Sequence, residues 1–190
     1  MLQDLKINHR AFVLYKLFNS LFLGVSVGSI FTIYTPLEPS VYSVGGIVLA
    51  IAMIFIAKQY HKILNATYFY RISLLVEWVV LALVIGFLIF SYSYQTALWV
   101  YIGYQLTFVF GSYLVRAETL VLKEDEILTK VDIAKQYGYL IGMAASYSFY
   151  KLLEYGWEIT DHQEQVYLLH FILLAVELVV IGLLVRAFRK

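Results

Sequence analysis

The 190-residue chain is 62% hydrophobic and 17% aromatic but only 14% charged, against roughly 25% charged residues in a soluble domain. So little charge cannot clothe a water-facing surface, which makes this an integral membrane protein and leaves no basis for a nucleic-acid partner. The absence of cysteine excludes disulfides and cysteine-bearing metal or redox sites, and the formal net charge of +1 hides an uneven distribution.

Six apolar segments stand out against the roughly 20 residues that a spanning helix needs. The first covers about 11–34. It is longer than a signal-peptide core and no small-residue cleavage site follows it, so it is read as retained. Pro36 and Pro39 bracket Glu38 and close the first hairpin, because proline ends a helix near the preceding residue. The second, third and fourth segments cover about 41–57, 68–90 and 97–115. A polar stretch, 118–132, comes next, within a cytoplasmic connection of about 118–135. Leu120, Ile127, Leu128 and Val131 could form an apolar stripe there. The stretch is either a short helix lying on the membrane face or a plain solvated connector. The fifth segment, about 137–155, is the least apolar: it is rich in Gly, Ser and Tyr and carries Lys151 and Glu154. The sixth covers about 166–185.

With six crossings both termini share one side of the membrane. Thirteen of the fourteen basic residues then lie on that side, from Lys6, Arg10 and Lys16 through Lys58, Lys62 and Arg71 to Arg186, Arg189 and Lys190, with only Lys151 opposite. The positive-inside rule makes that side cytoplasmic. Tyr92, Tyr94, Trp99 and Tyr101 are expected at the outer interface, and Tyr60, Tyr68 and Tyr70 at the inner one.

The third and sixth segments contain a repeat. Leu74, Val76, Glu77, Val79, Val80 and Leu83 recur one hundred residues later as Leu174, Val176, Glu177, Val179, Val180 and Leu183. A three-helix unit used twice in one chain must enter the membrane inverted the second time, as transporter repeats do. The expected architecture is therefore a single all-α domain over residues 1–190. It has six transmembrane helices in two inverted three-helix repeats, about 11–90 and 97–186.

Small residues recur at four-residue spacing, the pattern that lets helices approach closely in lipid. Ser20, Gly24, Gly28 and Thr32 form one stripe, Gly138, Gly142 and Ser146 another, and Gly46 and Ala50 a shorter third. They serve either packing within the bundle or contact with a second copy of the chain.

Intramembrane polar residues are the site candidates, since each is costly in lipid. Glu77 and Glu177 fall near the middles of their helices; each is either a protonatable carboxyl or a neutral group pinning helices together. His170 lies seven residues before Glu177, on the same helical face and about 10 Å along the axis. It is either part of a proton relay or a tautomer-locked structural histidine. Asn19 and Ser26 on the first helix, and Gln105, Ser112 and Arg116 on the fourth, form polar faces suited to line a cavity. Arg116 could instead snorkel to the interface. No phosphate-binding loop, metal-ligand cluster or nucleophile–base set is present, so neither an enzyme nor a cofactor is expected.

The stretch Gly111-Ser112-Tyr113-Leu114-Val115-Arg116-Ala117-Glu118-Thr119-Leu120 resembles the end of helix four in major facilitator superfamily transporters. Tyr137-Gly138-Tyr139-Leu140-Ile141-Gly142-Met143-Ala144 is similar to their fifth helix. The basic segment Lys58-Gln59-Tyr60-His61-Lys62 stands where that family has its loop motif, without the motif's Gly and Asp. The likeness is to the N-terminal six-helix half. It implies a cavity lined by helices one and four, helices two and five at a seam between halves, and helices three and six outside. On that resemblance the expectation is a half-size transporter of a small solute in a bacterial inner membrane, working as a parallel homodimer by alternating access. A different class fits the same residues: a non-transporting scaffold or accessory subunit that binds another membrane protein.

Overall fold

A computed structural model of the chain describes residues 7–90 and 92–189; Asp4, Lys6 and Lys190, the first an acidic terminal residue and the others part of the charge count, lie outside them. Among the described residues every regular element is helical. The order is α1 His9–Tyr34, α2 Pro39–Lys58, the single turn α3 Tyr60–Ile63, α4 Ala66–Ile89, α5 Tyr94–Val109, α6 Gly111–Leu122, α7 Asp125–Gly156 and α8 His162–Phe188.

Local chemistry starts these helices. Asn8 accepts from the Ala11 amide, Asn65 from Tyr68, Ser93 from Thr96 and Asp161 from Glu164, which satisfies amides that otherwise lack an intrahelical partner. Pro39 opens α2 at a position where its missing N–H costs nothing. α5 and α6 form one bent rod, broken at Phe110 just before the Gly111-Ser112 pair, a common cause of kinks.

Five stretches are long and apolar enough to cross a membrane: α1, α2, α4, the α5–α6 rod and α8. This is the architecture of an all-helical membrane protein. α7 has 32 residues, about 48 Å at 1.5 Å each, but its first third is charged. The polar stretch after the fourth apolar segment is neither a separate surface helix nor a connector. Glu118 belongs to α6, and α7 starts at Asp125, with Asp125 and Glu126 in the first turn where the helix dipole favours them. The chain reverses at Lys123 and Glu124, Lys123 taking the left-handed conformation (φ 59°).

α1 is the central post. It packs along α7 on one side and α8 on another, while α4 packs on α8 and on the α5–α6 rod, and α2 lies mainly on α5. Buried positions run in helical stripes: Phe69, Ser73, Glu77, Val80, Val84 and Phe87 on α4, and Val166, Leu169, Leu173, Glu177, Val180 and Leu184 on α8. The start of α1 and the end of α8 meet at one end of the bundle, where the Asn8 amide donates to the Ala187 carbonyl at 2.9 Å and Phe12, Phe69 and Phe188 form one aromatic cluster.

At the opposite end Tyr101 faces inward rather than outward. It is buried, and its ring meets Tyr34 and Tyr42 edge-on at 5.5 and 5.4 Å, clamping α1, α2 and α5 together. A sequence pattern of aromatics near a helix start does not say which of them point inward. Trp99, on the same helix, is 71% exposed.

Candidate functional site

The bundle core holds a polar cluster drawn from four helices. On α1, the Tyr15 hydroxyl donates to Glu77 Oε1 at 2.6 Å and the Asn19 amide donates to the same oxygen at 3.1 Å. Glu77 is 2% exposed on α4. Glu177 on α8 is wholly buried and brings its carboxyl beside that of Glu77, with no well-formed hydrogen bond from either of its oxygens. Tyr104 of α5 comes within electrostatic range of Glu177. The helical periods explain the meeting: Glu77 and Glu177 each occupy the inward stripe of their helix, and α4 and α8 pack on one another.

Beside it, reached through Lys16 next to Tyr15 on α1, lies an ionic knot. Glu118 on α6 pairs with Lys16 of α1 at 2.6 Å and with Lys135 of α7, which also reaches Asp132 at 3.1 Å. Glu118 is 5% exposed, so three helices are joined through one buried carboxylate. Lys16 also lies over the rings of Phe12, Tyr15 and Phe69 at 5.5, 5.1 and 5.9 Å, a cation–π setting that partly replaces water. Burial pushes the Lys135 ammonium down, but the hydrogen bond and charge of Glu118, with Asp132 behind them, outweigh it and hold the ammonium above its usual range.

The sequence-nominated cavity residues do not converge on one pocket. Asn19 is committed to Glu77. Ser26 is buried and donates to the Leu23 carbonyl of its own helix at 3.1 Å. Gln105 lines a cleft of about 400 Å³ between α2 and α5, walled by Val44, Gly45, Val48 and Tyr101, and its Oε1 has no partner. Ser112 and Arg116 do share a site, a shallow surface cleft on α6 with Gly111, Val115, Thr119 and Leu120. Arg116 is exposed there and lies 5.7 Å from the Tyr60 ring centroid.

His170 is held apart from the carboxyls. Its Nδ1–H donates to the Val166 carbonyl at 2.7 Å, because only a protonated nitrogen can pair with a carbonyl oxygen, and its ring stacks on Phe87 at 4.1 Å. Gly138, Gly142 and Ser146 form the buried stripe of α7 and face α1. A Cβ on Gly138 would collide with the Leu17 carbonyl, and one on Gly142 with the Leu21 carbonyl. Gly24 answers them from α1, where a Cβ would meet the Tyr139 carbonyl. Gly46 and Ala50 stay exposed on α2, with open space around Gly46.

Sequence reasoning passed over Glu118, Lys135 and Tyr15. The signal for Glu118 was present in the spacing of Tyr113, Ala117 and Leu122, which makes 118 an inward position once α6 is known to be helical. A polar pocket was also missed. It has about 590 Å³ and opens at the end remote from the termini, with Thr32 of α1, Tyr150, Lys151 and Glu154 of α7, and His162 and Gln165 of α8 among its walls.

The fold and its buried polar core define a helical membrane protein with ionisable groups held inside the bundle. No protein-family model, curated protein or solved structure matches the chain. Among the described residues there is no group of three or more His, Asp or Glu side chains placed to hold a metal ion.

Proposed function

We propose that the chain is a half-size secondary transporter of a small solute, built as one half of a major facilitator superfamily carrier and working as a parallel homodimer. In this reading α7 is the fifth of six crossings and α8 the sixth, the termini are cytoplasmic, and the membrane is a bacterial inner membrane. The observation that carries it is the packing order. Exchanging the first three crossings for the last three turns α1-on-α7 into rod-on-α2, and α1-on-α8 into rod-on-α4, while α4-on-α8 maps onto itself. All of these pairings occur, and Glu77 and Glu177, at matching positions of the two units, lie side by side where the exchange axis would run. Inverted repeats in transporters produce this relation.

The exposed faces support a second copy. α2 buries none of its residues, although Val44, Ile47, Val48, Ile51 and Phe55 are large and apolar. The outward side of α7 is more polar than lipid favours, with Gln136, Tyr137, Tyr147 and Ser148 exposed. Since α1 occupies the glycine stripe of α7, the seam uses α2 through Gly46 and Ala50 together with the outer side of α7. The chain lacks cysteine, so Gly46→Cys or Ala50→Cys in native membranes gives a clean cross-linking test. Disulfide-linked dimers are expected. Their absence at both positions and at every exposed α7 position overturns the homodimer.

A scaffold or accessory subunit would expose α2 in the same way. Co-purification of a distinct membrane protein, with no self-cross-linking and no uptake of labelled sugars, amino acids or organic anions into proteoliposomes, would replace transport with that role.

A further inference from the structure

We propose that Glu77 and Glu177 together form one proton-binding site in the bundle core, with Glu177 carrying the proton. Two carboxylates side by side and shut away from water cannot both stay ionised, because each raises the cost of charging the other. The surrounding donors decide which one is charged. Glu77 Oε1 accepts from both the Tyr15 hydroxyl and the Asn19 amide, at 2.6 and 3.1 Å, which is an anion's coordination. Glu177 is the independent pointer to a ligand: it is 0% exposed, and neither of its oxygens has a hydrogen-bond partner. A buried carboxylate with no donor is far too costly to persist, whereas a carboxylic acid turned toward Glu77 satisfies both groups with a single proton.

The nearby ionisable groups agree with one negative charge at this place. From α1 come Tyr15 and the Lys16 ammonium, from α5 Tyr104, and from α6 Glu118, which is already neutralised by Lys16 and Lys135. His170, two turns along α8, is engaged with its own helix through the Val166 carbonyl. The proton therefore bridges two helices from matching positions of the sequence repeat, and its loss to water leaves two like charges pushing α4 and α8 apart. Because both groups lie in the contact between these helices, occupancy of the site and the fit of the two halves of the bundle are linked. The inference stands on the core geometry and does not require that the chain transports anything.

Infrared spectroscopy of the full-length chain in lipid tests it, since a protonated carboxyl has a carbonyl stretch distinct from that of a carboxylate. At neutral pH the wild type should show one protonated carboxyl per chain that shifts in heavy water. Glu177→Gln should lose that band, while Glu77→Gln should keep it, because the lone buried Glu177 stays neutral. Replacing choline by sodium should leave the band in place. No protonated carboxyl in the wild type, a band that survives Glu177→Gln, or a band removed by sodium would each overturn the proposal. The wild-type measurements decide the matter even where a variant fails to fold. An absent uptake activity with the band present would count against transport alone.

Discussion

Replacing Gly142 by alanine is the sharpest perturbation of the fold. The new Cβ would overlap the Leu21 carbonyl oxygen and lie 2.9 Å from the Val25 nitrogen and 3.0 Å from the Gly24 Cα. All three are backbone atoms of α1, so no side chain can swing aside. Ordinary carbon contacts are about 3.5–4 Å, which means the helices must separate by up to about 1 Å, and a gap of that size forfeits a quarter to a half of each contact's dispersion energy. Overpacking of this kind typically costs about 1–3 kcal/mol. Alanine's better helix propensity returns at most about 1 kcal/mol. The expected net loss is about 1–2 kcal/mol. Gly46→Ala is the control, because a Cβ there meets nothing within 4 Å, and it should be neutral or gain up to about 1 kcal/mol from propensity. Reversible unfolding by sodium dodecyl sulfate in mixed micelles measures both. Equal stability of the two variants would refute the backbone contact between α1 and α7.

Three further substitutions separate the polar clusters. Glu118→Gln leaves Lys16, whose side chain is 12% exposed, without its ion pair, and should cost about 3–5 kcal/mol in the same unfolding assay. Glu126→Gln, which breaks the exposed pair with Lys130, should have no measurable effect; a comparable loss from both would show that Glu118 is not the buried joint of three helices. His170→Leu removes a hydrogen bond confined to α8 and the stacking on Phe87, worth about 1 kcal/mol. It should leave the infrared signature of Glu177 unchanged, and loss of that signature would restore His170 to a proton relay.

Residues that act through helical period alone were legible in advance. Glu77 and Glu177 were recognisable as matching intramembrane carboxyls, and the stripe of Gly138, Gly142 and Ser146 as a close-packing face. Neither pattern names a partner. A small-residue stripe serves a neighbouring helix and a second chain equally well, and only the packing of α7 on α1 decides for the former in this case. Charge runs misled for a related reason. Glu118 follows Arg116 in a stretch that turns polar, so the stretch reads as leaving the membrane, yet the helix continues to Leu122 and turns the carboxylate inward.

What the sequence determined by itself is what depends on average composition and repeat distance. It made the chain a helical membrane protein, marked five stretches that are long and apolar enough to cross, and put two carboxyls one hundred residues apart in two of them. Tertiary structure decided which polar groups meet. It set Tyr15 and Asn19 on Glu77, Lys16 and Lys135 on Glu118, and left Gln105, Ser112 and Arg116 in separate places. The physical reason is that a helix presents its residues around a full turn every 3.6 positions. Its rotation against its neighbours, which packing alone determines, selects the residues that share a site.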